Sequence, residues 1–155
     1  MIKFSVSRLD RESIELSGSE PAEFLDLADG DVYEAVSPVE YDLLVSKVSG
    51  GILVSGSCRV VIAGECGRCL LPVEEEICAS DIELFYDPEQ FGEEADISED
   101  IRCELLLELP MRLLCSDDCC GLCPDCGCNL NESTCECAGA RTGSLAWSGL
   151  DELDL

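Results

Sequence analysis

Residues 115–137 read CSDDCCGLCPDCGCNLNESTCEC and hold eight of the thirteen cysteines in this 155-residue chain. Cys123-Pro-Asp-Cys126 has the spacing of a metal knuckle, and Cys135-Glu-Cys137 returns after a polar turn over residues 129–133. Two such pairs joined by a turn can close one tetrahedron of four sulfurs. The stretch therefore predicts a metal site formed by Cys123, Cys126, Cys135 and Cys137.

A second pair, Cys66-Gly-Arg-Cys69, lies upstream between two strand-like runs. Cys115 and Cys119 are left over from the first stretch and can complete a second tetrahedron with this pair. Spacing does not determine which cysteines join, so the cross-pairing is a hypothesis. The expected cofactor is zinc, as one or two ions each held by four cysteines.

The chain contains no histidine. This excludes Ser-His-Asp triads, Cys-His nucleophiles and HExxH metalloproteases. A zinc ion with four cysteine ligands has no open position for water or substrate, so it contributes folding energy rather than catalysis. We therefore expect no catalytic residues and a protein that is not an enzyme.

Two other readings of the cysteines stay open. Cys66 and Cys69 could form a thiol–disulfide oxidoreductase pair, although the residues that follow look like strand and not the helix that lowers a thiol pKa in thioredoxin-type sites. Cys120-x2-Cys123-x2-Cys126 begins like a ferredoxin run, but residue 130, where the fourth ligand belongs, is Leu130. A fold held by disulfides alone is the weakest reading.

Five cysteines are left outside the predicted ligand sets. Cys120 and Cys128 are interpreted as spectators, either of which could replace a ligand. The lone cysteines are interpreted as small buried apolar residues, and they are Cys58, Cys78 and Cys103.

The chain carries 34 acidic and 9 basic residues, for a net charge of −25. Such a surface repels phosphate backbones and attracts basic proteins, which makes direct RNA contact doubtful. No signal peptide is evident, and no apolar run approaches the roughly 20 residues of a membrane helix. Because a reducing compartment keeps thiols free, we expect a cytoplasmic protein that does not associate with a membrane.

Residues 31–86 are rich in Val, Ile and Tyr, with period-two alternation that predicts an antiparallel sheet. We expect an α+β fold whose sheet could close into a barrel, with a short helix from Ser19-Glu20-Pro21 to Gly30. One main helix is predicted over residues 98–109, capped by Ser98 and ended by Pro110. The predicted divisions are a sheet domain (1–110), a zinc-stapled cysteine-rich lobe (111–138) and a tail (139–155).

The cysteine motifs carry a resemblance to a known family. Gly64-Glu-Cys66-Gly-Arg68-Cys69-Leu70, then Leu107-Glu-Leu109-Pro110, then GLCPxCGxNLN over 121–131 and Cys135-x-Cys137 resemble the YceD family of large ribosomal RNA subunit accumulation proteins. Cys66 and Cys69 match the first cysteine pair of the family, and the six other predicted ligands match its second motif. Cys120 and Cys128 depart from the usual pattern.

The resemblance implies a non-enzymatic role in ribosome biogenesis that supports accumulation of the large-subunit RNA. In this family the gene commonly neighbours that of ribosomal protein bL32. The expected partner is therefore a basic ribosomal protein, with bL32 as one candidate, or a pre-ribosomal particle.

Overall fold

The computed structural model describes residues 1–9, 13–27 and 32–139. Outside these ranges lie the predicted helix stop at Gly30 and all but the first residue of the predicted tail. The described elements are β1 (Lys3–Ser5), β2 (Ile14–Glu20), β3 (Tyr33–Ala35), β4 (Val39–Val48), β5 (Gly51–Glu65), β6 (Pro72–Tyr86), β7 (Glu94–Asp96) and α1 (Ser98–Leu107). Short 3-10 turns lie at Val6–Arg8, Ala22–Leu25, Pro88–Gln90 and Glu136–Gly139.

Strand β5 is the centre of a five-stranded antiparallel sheet. It pairs with β4 and, beyond the end of that pairing, with β3 on one side, and with β6 on the other. Strand β2 pairs with the outer side of β4. The predicted antiparallel sheet is confirmed. The barrel is wrong, because in the described ranges the edge strands β2 and β6 do not pair with each other and the sheet stays open.

One face of β5 forms the core, as its alternation predicts. Ile52, Val54, Cys58, Val60 and Ile62 are all buried. Side chains in a strand point alternately to opposite faces, so the residues between them point to the other face of the sheet.

An irregularity in β6 keeps the long β5–β6 pairing in step with this pattern. Gly56 is opposite Ile82 and Cys58 is opposite Ala79, so two residues of β6, Ser80 and Asp81, face one residue of β5. This is the geometry of a β-bulge. It shifts the buried positions of β6 by one, and both Ala79 and Ile82 remain in the core.

Helix α1 packs against β5 and β6 with its apolar stripe. Ile97, Ile101 and Leu105 recur every four residues and are fully buried, so they form the apolar stripe. The helix ends at Leu107 and not at residue 109. Its last turn tightens before Pro110, since the N–H of Leu109 donates to the carbonyl of Leu106.

The start of the helix also differs from the prediction. Ser98 is the first helical residue and makes no side-chain cap. Its hydroxyl accepts the N–H of Ile2 (2.8 Å), while Asp96 accepts the N–H of Ser98 (3.0 Å). Ser98 therefore joins the helix to the small sheet formed by β1 and β7.

Two further expectations are corrected. Strand β2 continues to Glu20, so only a four-residue 3-10 turn follows where a helix was expected. Cys58 is buried as predicted, but Cys78 and Cys103 are exposed. Cys78 lies on the outer face of β6, and Cys103 lies on the polar side of α1.

In the described part of the chain, no helix is long and apolar enough to cross a membrane. The division into a sheet domain, a lobe and a tail stays a prediction.

Two of the three leucines of α1 provide a matched test of the packing. Leu105 is fully buried and Leu107 is 78% exposed. We expect Leu105→Ala to lower the free energy of unfolding by about 2–5 kcal/mol, because it leaves a cavity under the sheet. Leu107→Ala should change it by less than about 0.5 kcal/mol. Urea denaturation of both variants measures the difference, and equal losses would contradict this packing.

Candidate metal centres

The turn between β5 and β6 presents the first cysteine pair. The N–H of Cys66 donates to the carbonyl of Leu71 (2.8 Å), and the N–H of Leu70 donates to the carbonyl of Cys66 (3.0 Å). Leu70 has φ of 61°, a left-handed conformation that costs a non-glycine residue energy. The turn thereby places Cys66 and Cys69 within one knuckle at the end of the sheet.

The segment after α1 brings two more cysteines to this knuckle. It docks through the N–H of Gly67, which donates to the carbonyl of Leu113 (2.9 Å). The Sγ atoms of Cys66 and Cys119 are 3.8 Å apart, and those of Cys69 and Cys115 are 3.5 Å apart. All four sulfurs lie within 4.8 Å of one another. We call Cys66, Cys69, Cys115 and Cys119 the first cluster.

Arg68 holds this arrangement together from inside the knuckle. Its Nη1 donates to the carbonyls of Asp117 (3.0 Å) and Cys119 (2.9 Å), and its own carbonyl accepts the N–H of Leu122 (3.1 Å). Gly121 passes close by with φ of 76°, and a Cβ there would lie 3.1 Å from the Arg68 carbonyl oxygen. A glycine therefore suits both the backbone conformation and the close approach.

The second cluster is built on a small hairpin. Leu122 bridges Asn129 antiparallel, and the N–H of Leu130 donates to the carbonyl of Gly121 (2.9 Å). The tip between these strands is the Cys123–Cys126 knuckle. Its sulfurs lie within 4.8 Å of those of the returning pair, and the second cluster comprises Cys123, Cys126, Cys135 and Cys137.

Asn131 links the hairpin to the first cluster. Its Nδ2 donates to the sulfur of Cys119 (3.3 Å), and its Oδ1 accepts the N–H of Cys120 (2.7 Å). Asn129 accepts from both the N–H (3.0 Å) and the Nδ2 (2.8 Å) of Asn131, which orients that amide. The Asn-Leu-Asn motif thus forms a turn and also holds the Cys119 sulfur in place through hydrogen bonds.

Backbone N–H groups stabilise negative charge in the first cluster. The pKa of Cys66 is lowered to about 6, chiefly because the N–H of Cys115 donates to its sulfur, with further donors from Cys69 and Arg68. The pKa of Cys115 is raised to about 12 by the adjacent sulfurs of Cys119 and Cys69. The negative charge of one thiolate thus keeps the neighbouring cysteine protonated unless a cation binds among the sulfurs.

The second cluster also contains one cysteine with a lowered pKa and one with a raised pKa. The pKa of Cys123 is lowered to about 7 by the N–H groups of Cys126 and Asp125. The pKa of Cys137 is raised to about 12, first by the neighbouring sulfur of Cys126. Each knuckle therefore stabilises thiolate on its first cysteine.

The structure brings together all eight of the cysteines singled out by spacing, in the two sets of four that were expected. The two spectators differ from each other. Cys120 is exposed, and its sulfur donates to the carbonyl of Asp118 (3.6 Å). Cys128 is half-buried, and its pKa is raised to about 12, first by the neighbouring sulfur of Cys126 and then by burial and the sulfur of Cys135.

Sequence reasoning missed Arg68 and Asn131. Arg68 was interpreted only as a residue between the two cysteines of a CxxC pair, and Asn131 only as a residue of a turn. Their positions inside the motifs that carry the family resemblance were the available signal. No sequence signal indicated their hydrogen-bond partners, because Arg68 and Cys119 lie 51 positions apart.

The two alternative readings meet different surroundings in the fold. Cys66 and Cys69 sit on a turn between strands, 0% and 4% exposed, and not at a helix N-terminus. A thiol that is closed off in this way is poorly placed to attack a substrate disulfide. The thiol of Cys120, the first cysteine of the ferredoxin-like run, donates a hydrogen bond to the backbone carbonyl of Asp118.

Comparison with known proteins identifies the family. The model of the large ribosomal RNA subunit accumulation protein YceD matches residues 54–154. The chain belongs to the YceD family. The matched range begins within β5 and contains every residue of both clusters.

Curated relatives come from mycobacteria and are uncharacterized proteins. Those of Mycobacterium tuberculosis and Mycobacterium bovis are 36% identical over 103 residues, which is 57% of this chain and 50% of each relative. One from Mycobacterium leprae is 31% identical over 113 residues, 64% of this chain and 52% of the relative. The chain thus spans about half the length of the curated relatives it matches. No solved structure matches it.

The donor sets fit a tetrahedral metal ion. Zinc–sulfur bonds of about 2.3 Å place the sulfurs of a tetrahedron about 3.8 Å apart, close to the two separations in the first cluster. N–H donors directed at Cys66, Cys119 and Cys123 suit metal-bound thiolate, which they also stabilise in structural zinc knuckles. Both clusters are therefore compatible with a bound ion.

Arg68 supplies a test of the first cluster. We expect Arg68→Ala to weaken zinc binding there by about 10–100-fold, as removal of a supporting group around metal ligands typically does. The reason is that two carbonyls lose the donor that holds the Cys119 segment over the knuckle. Competition with a chromophoric chelator measures the affinity.

Arg112→Ala is the matched control, because Arg112 is exposed beside the same turn and its loss removes the same charge. A similar loss of affinity in both variants would mean that charge, and not the Arg68 hydrogen bonds, supports the cluster.

Proposed function

We propose that this protein is a non-enzymatic ribosome biogenesis factor that supports accumulation of large-subunit ribosomal RNA by binding a basic ribosomal protein or an assembly intermediate. The family name supports the first part of the proposal. The acidic outer face of the sheet is the observation that supports the second.

The acidic face lies opposite the core, on the two strands of the main sheet that flank β5. It is formed by exposed carboxylates that alternate with buried residues along β4 and β6, and they are Glu40, Asp42, Glu74, Glu76 and Glu83. Arg59, from β5, lies among them and pairs with Glu40 at 2.6 Å. The face therefore keeps a strong excess of negative charge.

Such a face selects partners by the sign of their charge. It repels nucleic-acid phosphates and speeds encounter with lysine- and arginine-rich proteins, and salt weakens that attraction. Ribosomal proteins are strongly basic, and bL32 is the candidate that the family resemblance suggests. A role in RNA accumulation then acts through the bound protein, without a wide RNA-binding surface on this chain.

The two clusters serve this function as structural zinc centres. Four thiolates without histidine or carboxylate favour zinc among the ions of ordinary structural sites. With four sulfurs bound, each ion would have no vacant position, so it would hold the C-terminal segment on the sheet rather than activate a substrate. Eight metal-bound thiolates suit a reducing compartment, and we propose that the protein works in the cytoplasm.

Metal content tests the structural role directly. We expect purified protein to contain two zinc ions per chain by elemental analysis, and to show no visible absorption of an iron–sulfur cluster. Strong chelation should then unfold the C-terminal segment, since metal-binding energy is folding energy here. Metal-free protein with the same circular dichroism and proteolytic resistance would contradict a structural role.

Charge reversal tests the acidic face. We expect Glu74→Lys combined with Glu76→Lys to weaken capture of purified bL32 and of total ribosomal proteins, and to flatten the salt dependence of that capture. Wild-type capture should be lost at moderate salt. Pull-down across a salt series measures both effects.

Glu89→Lys combined with Glu93→Lys is the matched control, because it makes the same charge change at exposed positions away from the acidic face. Equal weakening in both double variants would assign the effect to net charge alone. Retention of nucleic acid and no protein would show the partner class to be wrong.

A further inference from the structure

Cys128 is placed at the second cluster by the register of the hairpin. Because Leu122 bridges Asn129, the next pair inward is Cys123 opposite Cys128. The N–H of Cys123 donates to the carbonyl of Cys128 (2.8 Å). Cross-strand partners direct their side chains to the same face, so Cys128 shares a face with a cluster member.

The thiol of Cys128 is also close to two other members of the cluster. Its pKa is raised first by the neighbouring sulfur of Cys126, and also by burial and by the sulfur of Cys135. Four other cysteines already satisfy a tetrahedral site. The second cluster therefore has five sulfurs for four coordination positions.

The clusters also differ in access. Three cysteines of the first cluster, Cys66, Cys69 and Cys119, are between 0% and 4% exposed, while the fourth, Cys115, is exposed. In the second cluster only Cys123 is buried, Cys126 is exposed, and the returning pair is half-buried. Each cluster thus offers one exposed cysteine to a small oxidant, and Cys126 is the one that has a spare thiol beside it.

We propose that Cys128 is the resolving thiol of an oxidation-sensitive second metal centre, which a hydroperoxide opens while the first centre stays closed. This inference rests on the metal centres proposed above. A resolving thiol is one that attacks an oxidised neighbouring sulfur, and accessible thiolates beside such a thiol are the usual sites of reversible oxidation.

The chemistry needs only the hydroperoxide as oxidant. The thiolate sulfur of Cys126 attacks the O–O bond and becomes a sulfenic acid, and the second peroxide oxygen leaves as hydroxide. The Cys128 thiol then attacks the Cys126 sulfur, loses its proton, and releases water as the disulfide forms. The two sulfurs together lose two electrons, and the peroxide gains them.

The disulfide removes one sulfur from the metal. Three ligands remain, so a coordination position opens and the ion becomes available to competing ligands. A reductant restores the thiols and the site. The first centre, which lacks a fifth thiol in its own set, keeps the segment attached to the sheet.

The experiment uses the full-length chain loaded with zinc, whose zinc content is measured first. Hydrogen peroxide is then added in the presence of a chromophoric zinc chelator. We expect wild-type protein to release one of its two zinc equivalents rapidly, and peptide mass spectrometry to find a disulfide joining Cys128 to Cys126 or Cys135. Treatment with dithiothreitol and zinc should restore the content.

Cys128→Ala should keep both zinc ions before oxidation and should lose that rapid phase and that disulfide. Cys128→Ser provides a second variant if alanine disturbs the hairpin. Cys120→Ala is the matched control and should behave as wild type, because its sulfur faces a backbone carbonyl. Unchanged release in both Cys128 variants, or a disulfide that excludes Cys128, would overturn the inference. Absence of zinc before peroxide would instead refute the metal centres, while disulfide mapping would still test the role of Cys128.

Discussion

The meeting of four sulfurs at the end of the sheet is the contact on which the rest of the C-terminal segment depends. Cys66 and Cys119 are 53 positions apart, and Cys69 and Cys115 are 46 apart. A cross-link over that distance removes much of the freedom of the unfolded chain. The Arg68 hydrogen bonds and the Gly67–Leu113 bond add direct support to the same joint. Segments 113–122 and 128–131 are positioned from this joint outward.

The second cluster depends much less on distant parts of the chain. Its cysteines lie within fifteen residues of sequence, on a hairpin whose bridge joins Leu122 to Asn129. The side-chain amide of Asn131 donates to the sulfur of Cys119 and thereby holds the hairpin against the first cluster. The first cluster, with three buried cysteines, joins distant parts of the chain, whereas the second cluster, with one buried cysteine, is a local site.

The sheet supplies both the base for these clusters and the surface proposed for binding. Its β5 and β6 strands alternate between a core face and an acidic face, and the turn that connects them carries Cys66 and Cys69. Loss of the joint would uncover Val73 at the end of the sheet, which packs against the first cluster. The cysteine clusters and the acidic surface are therefore parts of one continuous structure.

From the sequence, the joining of Cys66 and Cys69 with Cys115 and Cys119 was only a hypothesis, because the two pairs lie far apart in the chain. The sequence by itself determined the antiparallel sheet, the main helix and the second set of four cysteines. Those features follow from local periodicity and from ligand spacing, which the chain carries within short windows. Only the tertiary structure decided that the sheet stays open, that Ser98 binds Ile2 instead of capping its helix, and that Cys78 and Cys103 are exposed. It also separated Cys128 from Cys120 and gave Arg68 and Asn131 their roles. Each of these depends on partners or solvent access set by residues distant in sequence, and no local pattern encodes such contacts.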